Sequence, residues 1–214
     1  GVSLLVLSLG LRLTGRPRAA FLTAILFAIH PVHSEAVADV VGRAEILAAL
    51  GVLAALHLWL SGETTKRPWS WGLGVGLAWL GALFAKESAV ILPAVLGGAL
   101  LACPQRLSRV RGRFRSAAFV LPAAGALLLY FAVRMSVLGS PLKPLGAFTN
   151  ALDNPLVTQP FGVRLAMQPA FFLHALRLLL FPINLSPDYG ISVFGIHAAP
   201  PASVWMAAAV VLIG

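Results

Sequence analysis

Residues 30–45 read HPVHSEAVADVVGRAE and place two histidines, three carboxylates and an arginine between two strongly apolar runs. In a chain dissolved in lipid such a polar cluster is costly to keep, and its persistence marks a functional site by default. The fold class turns on whether the flanking runs are membrane spans. Of 214 residues, 59% are hydrophobic and 11% charged, with a mean hydropathy of +0.89. That is far too apolar for an ordinary soluble domain. The composition predicts an all-α, polytopic integral membrane protein: a helical bundle that holds the 30–45 stretch at the membrane surface.

Spanning the hydrocarbon takes roughly 20 apolar residues, fewer where the bilayer thins or a helix stops short. Working outward from the cluster, candidate spans cover residues 1–11, 19–32, 45–60, 69–85, 88–103, 116–138 and 202–214. The loops between them alternate in charge. Arg12, Arg16 and Arg18 lie in the first, Lys66 and Arg67 in the third, and Arg106, Arg109, Arg111, Arg113 and Arg115 in the fifth. Short loops rich in Lys and Arg stay in the cytoplasm. The opposite side then holds Glu35, Asp39, Glu45, Glu87, Asp153 and Asp188, six of the seven acidic residues. Carboxylates carry little topological weight, so this segregation is not the mirror image of the basic rule and points to an extracytoplasmic active face. The net charge of +9 is accounted for by the loops, and nucleic acid is excluded as a partner because no soluble basic face with interleaved aromatics exists.

Three segments follow: a multispan core over residues 1–138 with about six spans, an extracytoplasmic proline-rich segment over 139–201, and the start of a further span over 202–214. The middle segment contains nine of the fifteen prolines. Within it, residues 168–181 are predicted to form a helix entered at Pro169, with Leu165, Phe172, Leu176 and Leu179 on one face and Arg164, Gln168, His174 and Arg177 on the other. Residues 183–201 contain no Lys or Arg, so this helix is expected to lie at the extracytoplasmic interface and not to cross. The sequence starts and stops inside apolar runs and is expected to be a fragment with structure missing at both ends. The lone Cys103 excludes an internal disulfide and reads as a small apolar filler at a helix end.

The candidate binding residues are His30, His33, Glu35, Asp39, Arg43, Lys86, Glu87 and Arg134. Pro31 ends one helix, and Ser34 is placed to cap the next, with Glu35 in its first turn. Glu35, Asp39 and Arg43 recur at four-residue spacing, which predicts a shared helical face with Asp39 paired to Arg43. Such a face can bind sugar hydroxyls or hold a proton; the plainer reading is a salt-bridged helix end in water. His30 and His33 are ligand types that suit zinc, but the spacing is no zinc signature and the intervening proline breaks helical geometry, so no metal site is expected. Lys86 and Glu87, in AKES, are neighbours that cannot face each other along a helix; they read either as groups reaching a cavity or as solvated turn residues. Arg134, in YFAVRMSVLG, sits at the outer end of a span, against the sidedness rule. Its guanidinium either forks onto a phosphate or snorkels to the interface.

These stretches resemble a known family. HPVHSEAVADVVGRAEILA, AKES, the arginine of FAVRMSVLG, DNPL and LRLLLFPINLSPDY follow in order the pattern of the transmembrane O-mannosyltransferases that target cadherins, and of their bacterial tetratricopeptide-repeat relatives. The resemblance covers residues 1 to about 195 and is most specific in its first and last motifs. It implies a fold like the C-type glycosyltransferases, with a polyprenyl- or dolichyl-phosphate sugar as donor substrate and Ser or Thr hydroxyls of an acceptor protein as target. No cofactor is firmly implied, and a divalent metal is left open. In that superfamily the catalytic carboxylate lies in the first outer loop, which falls upstream of residue 1 here. His30, His33, Glu35, Arg43, Lys86, Glu87 and Arg134 then remain as donor or acceptor contacts. The resemblance to the bacterial branch favours the bacterial inner membrane, with the endoplasmic reticulum as the eukaryotic counterpart. A transporter or flippase for a lipid-linked or small polar solute, or a non-catalytic membrane anchor for downstream tetratricopeptide repeats, are the competing functions. The first should show an internal repeat and midplane polar residues, and neither is found.

Overall fold

In a computed structural model, the chain is described over residues 1–40, 42–61, 67–104, 116–139, 159–183 and 185–186. Eight helices are described: α1 (Val2–Thr14), α2 (Pro17–Ile29), α3 (Ser34–Ala38), α4 (Arg43–Ser61), α5 (Pro68–Ala85), α6 (Leu92–Ala102), α7 (Ala117–Leu138) and α8 (Phe161–Leu180); all but α3 and α8 fall on the six predicted spans within these limits. Short 3-10 turns precede α3 at Pro31–His33 and α6 at Glu87–Ile91. No strand occurs among the described residues. Helices α4, α7 and α8 are long and apolar enough to cross a membrane, which makes this an all-α integral membrane protein. The predicted span at 202–214, the loop carrying Arg106 to Arg115, and Lys66, Glu63, Asp153 and Asp188 lie outside the described residues.

The chain divides into two compact units, Gly1–Pro141 and Leu142–Gly214. In the first unit, neighbour contacts fix the direction of each helix. Glu45 of α4 pairs with Lys86 just past α5, while Gly51 lies against Ala78 and Ala82 and Leu58 lies near Gly74. Residue numbers fall along one helix as they rise along the other, so α4 and α5 are antiparallel. Between α5 and α7, Gly72 meets Ala118, Gly76 meets Pro122 and Phe84 meets Tyr130, so those two helices are parallel. Gly1 near Leu50 and Ser8 near His57 make α1 parallel to α4. This pattern is what successive crossings require when α6 returns from the α5 end to the α7 start.

Packing of α5 on α7 explains the glycines. Lipid offers no hydrophobic drive for helix association, so close backbone approach through small residues must supply it. Gly72 and Gly76 are one turn apart, and a Cβ built on Gly72 would stand 1.7 Å from the Ala118 carbonyl oxygen; one on Gly76 would stand 2.7 Å from that of Pro122. Around this seam Val52, Ala55, Leu56, Trp59, Val75, Trp79, Ala82, Leu83 and Phe119 form the buried core. Large apolar side chains elsewhere, such as Leu26, Leu77 and Leu128, are exposed, as lipid-facing residues must be.

In the second unit, α8 differs from the expected helix. It begins at Phe161 and takes Pro169 into its interior, not at its first turn. A proline in the helix interior costs one backbone hydrogen bond, a loss that helices in membranes tolerate when neighbouring groups compensate. Its 20 residues therefore reach spanning length, which the predicted 168–181 segment did not. Met167 and Leu178 are its buried residues, whereas Leu165, Phe172 and Leu179 are exposed, so the expected apolar face is not the one it buries.

Candidate functional site at one end of the helix bundle

The turn after α2 forms because residue 31 is proline. His30 is forced out of the helical region to φ −66°, ψ 124°, and the chain bends by 47° before continuing. His30 turns its Nδ1 onto the Val32 amide, which donates to it at 3.2 Å. The His33 ring packs on Phe27 at 4.4 Å between centroids, and on His30 at 6.0 Å. Burial, with the neighbouring His30 adding to it, holds the His33 imidazole below its ordinary pKa, so it is neutral at pH 7. Among the described residues no group of three metal-ligating side chains gathers.

The expected face of Glu35, Asp39 and Arg43 does not exist. Helix α3 stops at Ala38, Asp39 is extended at φ −89°, ψ 142°, and Arg43 opens a new helix. Gly42 makes the break possible: a Cβ there would lie 2.5 Å from the Ala36 Cα, so the chain doubles back where only glycine fits. Asp39 and Arg43 are thus on separate elements, and helical spacing gives no reason for them to pair. Ser34 is the first residue of α3; His33 holds the cap position, without a side-chain cap bond. Glu35 occupies the first turn as expected and is exposed.

Lys86 has a partner that spacing could not reveal. Its ammonium donates to Glu45 Oε1 in the first turn of α4, joining the ends of two antiparallel helices. Behind it, the buried Trp79 indole donates to the Ala89 carbonyl at 2.8 Å and ties the 3-10 turn to α5. Glu87 starts that turn and is exposed. On α7, the half-buried Arg134 reaches back one turn and donates from Nη1 to the Tyr130 hydroxyl at 3.1 Å. Tyr130 is buried and packs edge-on against Phe84 at 5.7 Å and Phe131 at 5.4 Å. Phe84 is two residues before Lys86, so Arg134 and the Lys86–Glu45 pair rise at the same end.

All the candidate residues therefore share one end of the Gly1–Pro141 unit: His30, His33, Glu35, Asp39 and Arg43 between α2 and α4, Lys86 and Glu87 after α5, and Arg134 near the end of α7. Among the described residues the other end carries Arg12, Arg16, Arg18 and Arg67 and no carboxylate. Sequence reasoning counted Glu45 in the polar cluster without naming it among the binding residues, and passed over Trp79 and Tyr130. For Tyr130 a signal existed, since it lies one helical turn before Arg134; for Glu45 and Trp79 the partner comes from another element.

The fold and this end define a helical membrane protein whose first unit, among the described residues, gathers its carboxylates at one end and most of its arginines at the other. Comparison with known proteins finds similar chains of one kind. The Drosophila melanogaster protein O-mannosyl-transferase Tmtc2 is 35% identical over 181 residues, covering 80% of this chain and 18% of the relative. The Caenorhabditis elegans protein O-mannosyl-transferase F38B6.6 is 33% identical over 174 residues, covering 79% and 22%. The mouse protein O-mannosyl-transferase TMTC2 is 39% identical over 79 residues, covering 35% and 9%. No family model and no solved structure matches. Over as much as four fifths of its length the chain is similar to relatives named protein O-mannosyl-transferases, and it spans about a tenth to a fifth of the length of these relatives. They are animal proteins, and they lend no support to the bacterial assignment.

Proposed function

We propose that this chain is part of a membrane glycosyltransferase that moves a mannosyl group from a polyprenyl- or dolichyl-phosphate donor to a Ser or Thr hydroxyl of an acceptor protein, on the extracytoplasmic side. The relatives named protein O-mannosyl-transferases support the reaction class. The observation that carries the reading is the meeting of Arg134, Lys86 and the 30–43 segment at the end opposite Arg12, Arg16, Arg18 and Arg67. The positive-inside rule favours the cytoplasm for the basic end, which supports a lumenal or outer face for the polar end.

In this reaction the acceptor hydroxyl loses its proton to a carboxylate supplied by the upstream part of the protein. Its oxygen forms a bond to the sugar's anomeric carbon as the bond from that carbon to the phosphate oxygen breaks. The electron pair leaves with the polyprenyl phosphate. Cations positioned for that developing charge stabilise the transition state more than the ground state. Arg134 is the principal phosphate contact. Lys86 is paired with Glu45 in an exposed setting, where such pairs contribute little, so it can exchange Glu45 for phosphate at small cost. His30, His33, Glu35, Asp39, Arg43 and Glu87 line the acceptor or sugar side of the same end.

The test is Arg134→Ala and Arg134→Lys in the full-length protein, assayed for mannosyl transfer from polyprenyl-phosphate mannose. A charge-assisted contact is worth about 1.5–3 kcal/mol, or roughly a ten- to hundredfold loss in kcat/KM, and lysine cannot restore a bidentate fork. Full transfer by a folded Arg134→Ala protein refutes the phosphate role.

A further inference from the structure

The Arg134 to Tyr130 hydrogen bond has a fixed direction. A guanidinium has five donors and no acceptor, so the phenol oxygen must accept, and its own O–H cannot point at Arg134. Tyr130 is 6% exposed, and its ring is held edge-on by Phe84 from α5 and by Phe131 from its own helix. The phenol is thus locked in place beside the guanidinium with its proton left to donate elsewhere. We infer that Tyr130 is a second donor-binding residue: it holds the Arg134 guanidinium and donates its O–H to an oxygen of the same lipid phosphate. This rests on the reading of Arg134 given above.

The geometry brings the two groups to one anion. Side chains on a helix lean toward its N-terminus, so Arg134 folds back over Tyr130, and their polar atoms stand 3.1 Å apart. An oxygen bonded to the guanidinium is then within reach of the phenol proton. The surroundings also suit a lipid-borne phosphate. Phe84 is 53% exposed and Val137 is 70% exposed, an apolar surface next to the cation on which a polyprenyl chain can lie.

Tyr130→Phe removes the O–H and keeps the ring contacts. Binding of polyprenyl monophosphate to the full-length protein in lipid nanodiscs is measured for the unaltered protein, Tyr130→Phe, Arg134→Ala and the double variant, with polyprenol as the phosphate-free control. One hydrogen bond to a charged group predicts a loss of about tenfold or more for Tyr130→Phe, with polyprenol binding and thermal stability unchanged. The double variant should bind several-fold worse than Arg134→Ala, because the phenol donates to the phosphate directly; equal binding by those two variants overturns that donation. Loss of binding in Arg134→Ala with none in Tyr130→Phe overturns this inference and leaves the phosphate reading standing. Equal loss of polyprenol binding also overturns it, since the ring would then act by packing alone. Unchanged binding in Arg134→Ala, or none by the unaltered protein, overturns both.

Discussion

Glu45 and Lys86, 41 residues apart in sequence, form an ion pair that ties the start of α4 to the end of α5. Their side chains are 47% and 40% exposed, which places the pair among those that hold geometry more than they hold the fold. A double-mutant cycle with Glu45→Gln and Lys86→Met should give a coupling of only about 0.2–1 kcal/mol, weakened by salt. Unfolding midpoints in detergent at low and high ionic strength measure it. A coupling several times larger would mean that the pair is shielded from water and cannot exchange for a phosphate.

The α5–α7 seam should be far less forgiving. At Gly72 the added methyl of Gly72→Ala would meet the Ala118 carbonyl at 1.7 Å, whereas Gly81 on the same helix has nothing within 4 Å. Backbone cannot step aside as a side chain can, so Gly72→Ala should cost about 3 kcal/mol or more, in the severe class of overpacking. Gly81→Ala should be neutral or stabilising by up to about 1 kcal/mol, from helix propensity. Thermal unfolding of the two variants side by side decides it; similar midpoints would mean that α5 and α7 are not in this register.

How far the sequence reaches is visible in the same elements. The helices α4, α5 and α7 are legible because lipid demands long apolar runs, and Pro31 marked the end of α2. The break at residues 39–42 is not, because Glu35, Asp39 and Arg43 keep helical spacing across it and the cause is the tertiary closeness of Gly42 to Ala36. Pro169 misled for a related reason: the rule that reads proline as a helix start is learned where water competes for the backbone, and α8 continues through it. Which residues cluster at one end was legible from loop charge, while their partners, Glu45 for Lys86 and Trp79 for the turn behind it, depend on how helices are laid side by side.

His33 should make the fold sensitive to acid. Its folded pKa lies below the ordinary value of 6.5, so the unfolded chain binds the proton more readily, and stability falls as pH drops through that value toward the folded pKa. The unfolding midpoint between about pH 7.5 and pH 5 should therefore decline more steeply in the unaltered protein than in His33→Gln. An identical slope in both would assign the acid response to other groups.

Sidedness supports the functional reading more than any single contact does, and α5 allows it to be tested across one helix. Arg67 and Glu87 flank its 18 residues, about 27 Å of helix at 1.5 Å per residue, so cysteines at those two positions report opposite faces. Cys103 is the one cysteine in these 214 residues and sits half-buried at the end of α6; Cys103→Ala, with any cysteine outside them replaced likewise, first clears the background. In sealed vesicles of known orientation, a membrane-impermeant maleimide should modify Glu87→Cys from the lumenal or outer side and reach Arg67→Cys only after permeabilisation. Both sites could shift in reactivity with local burial, but the order of access follows from topology alone. The reverse order would put Arg134, Lys86 and the 30–43 segment in the cytoplasm, where an acceptor protein on the far side of the membrane could not meet them.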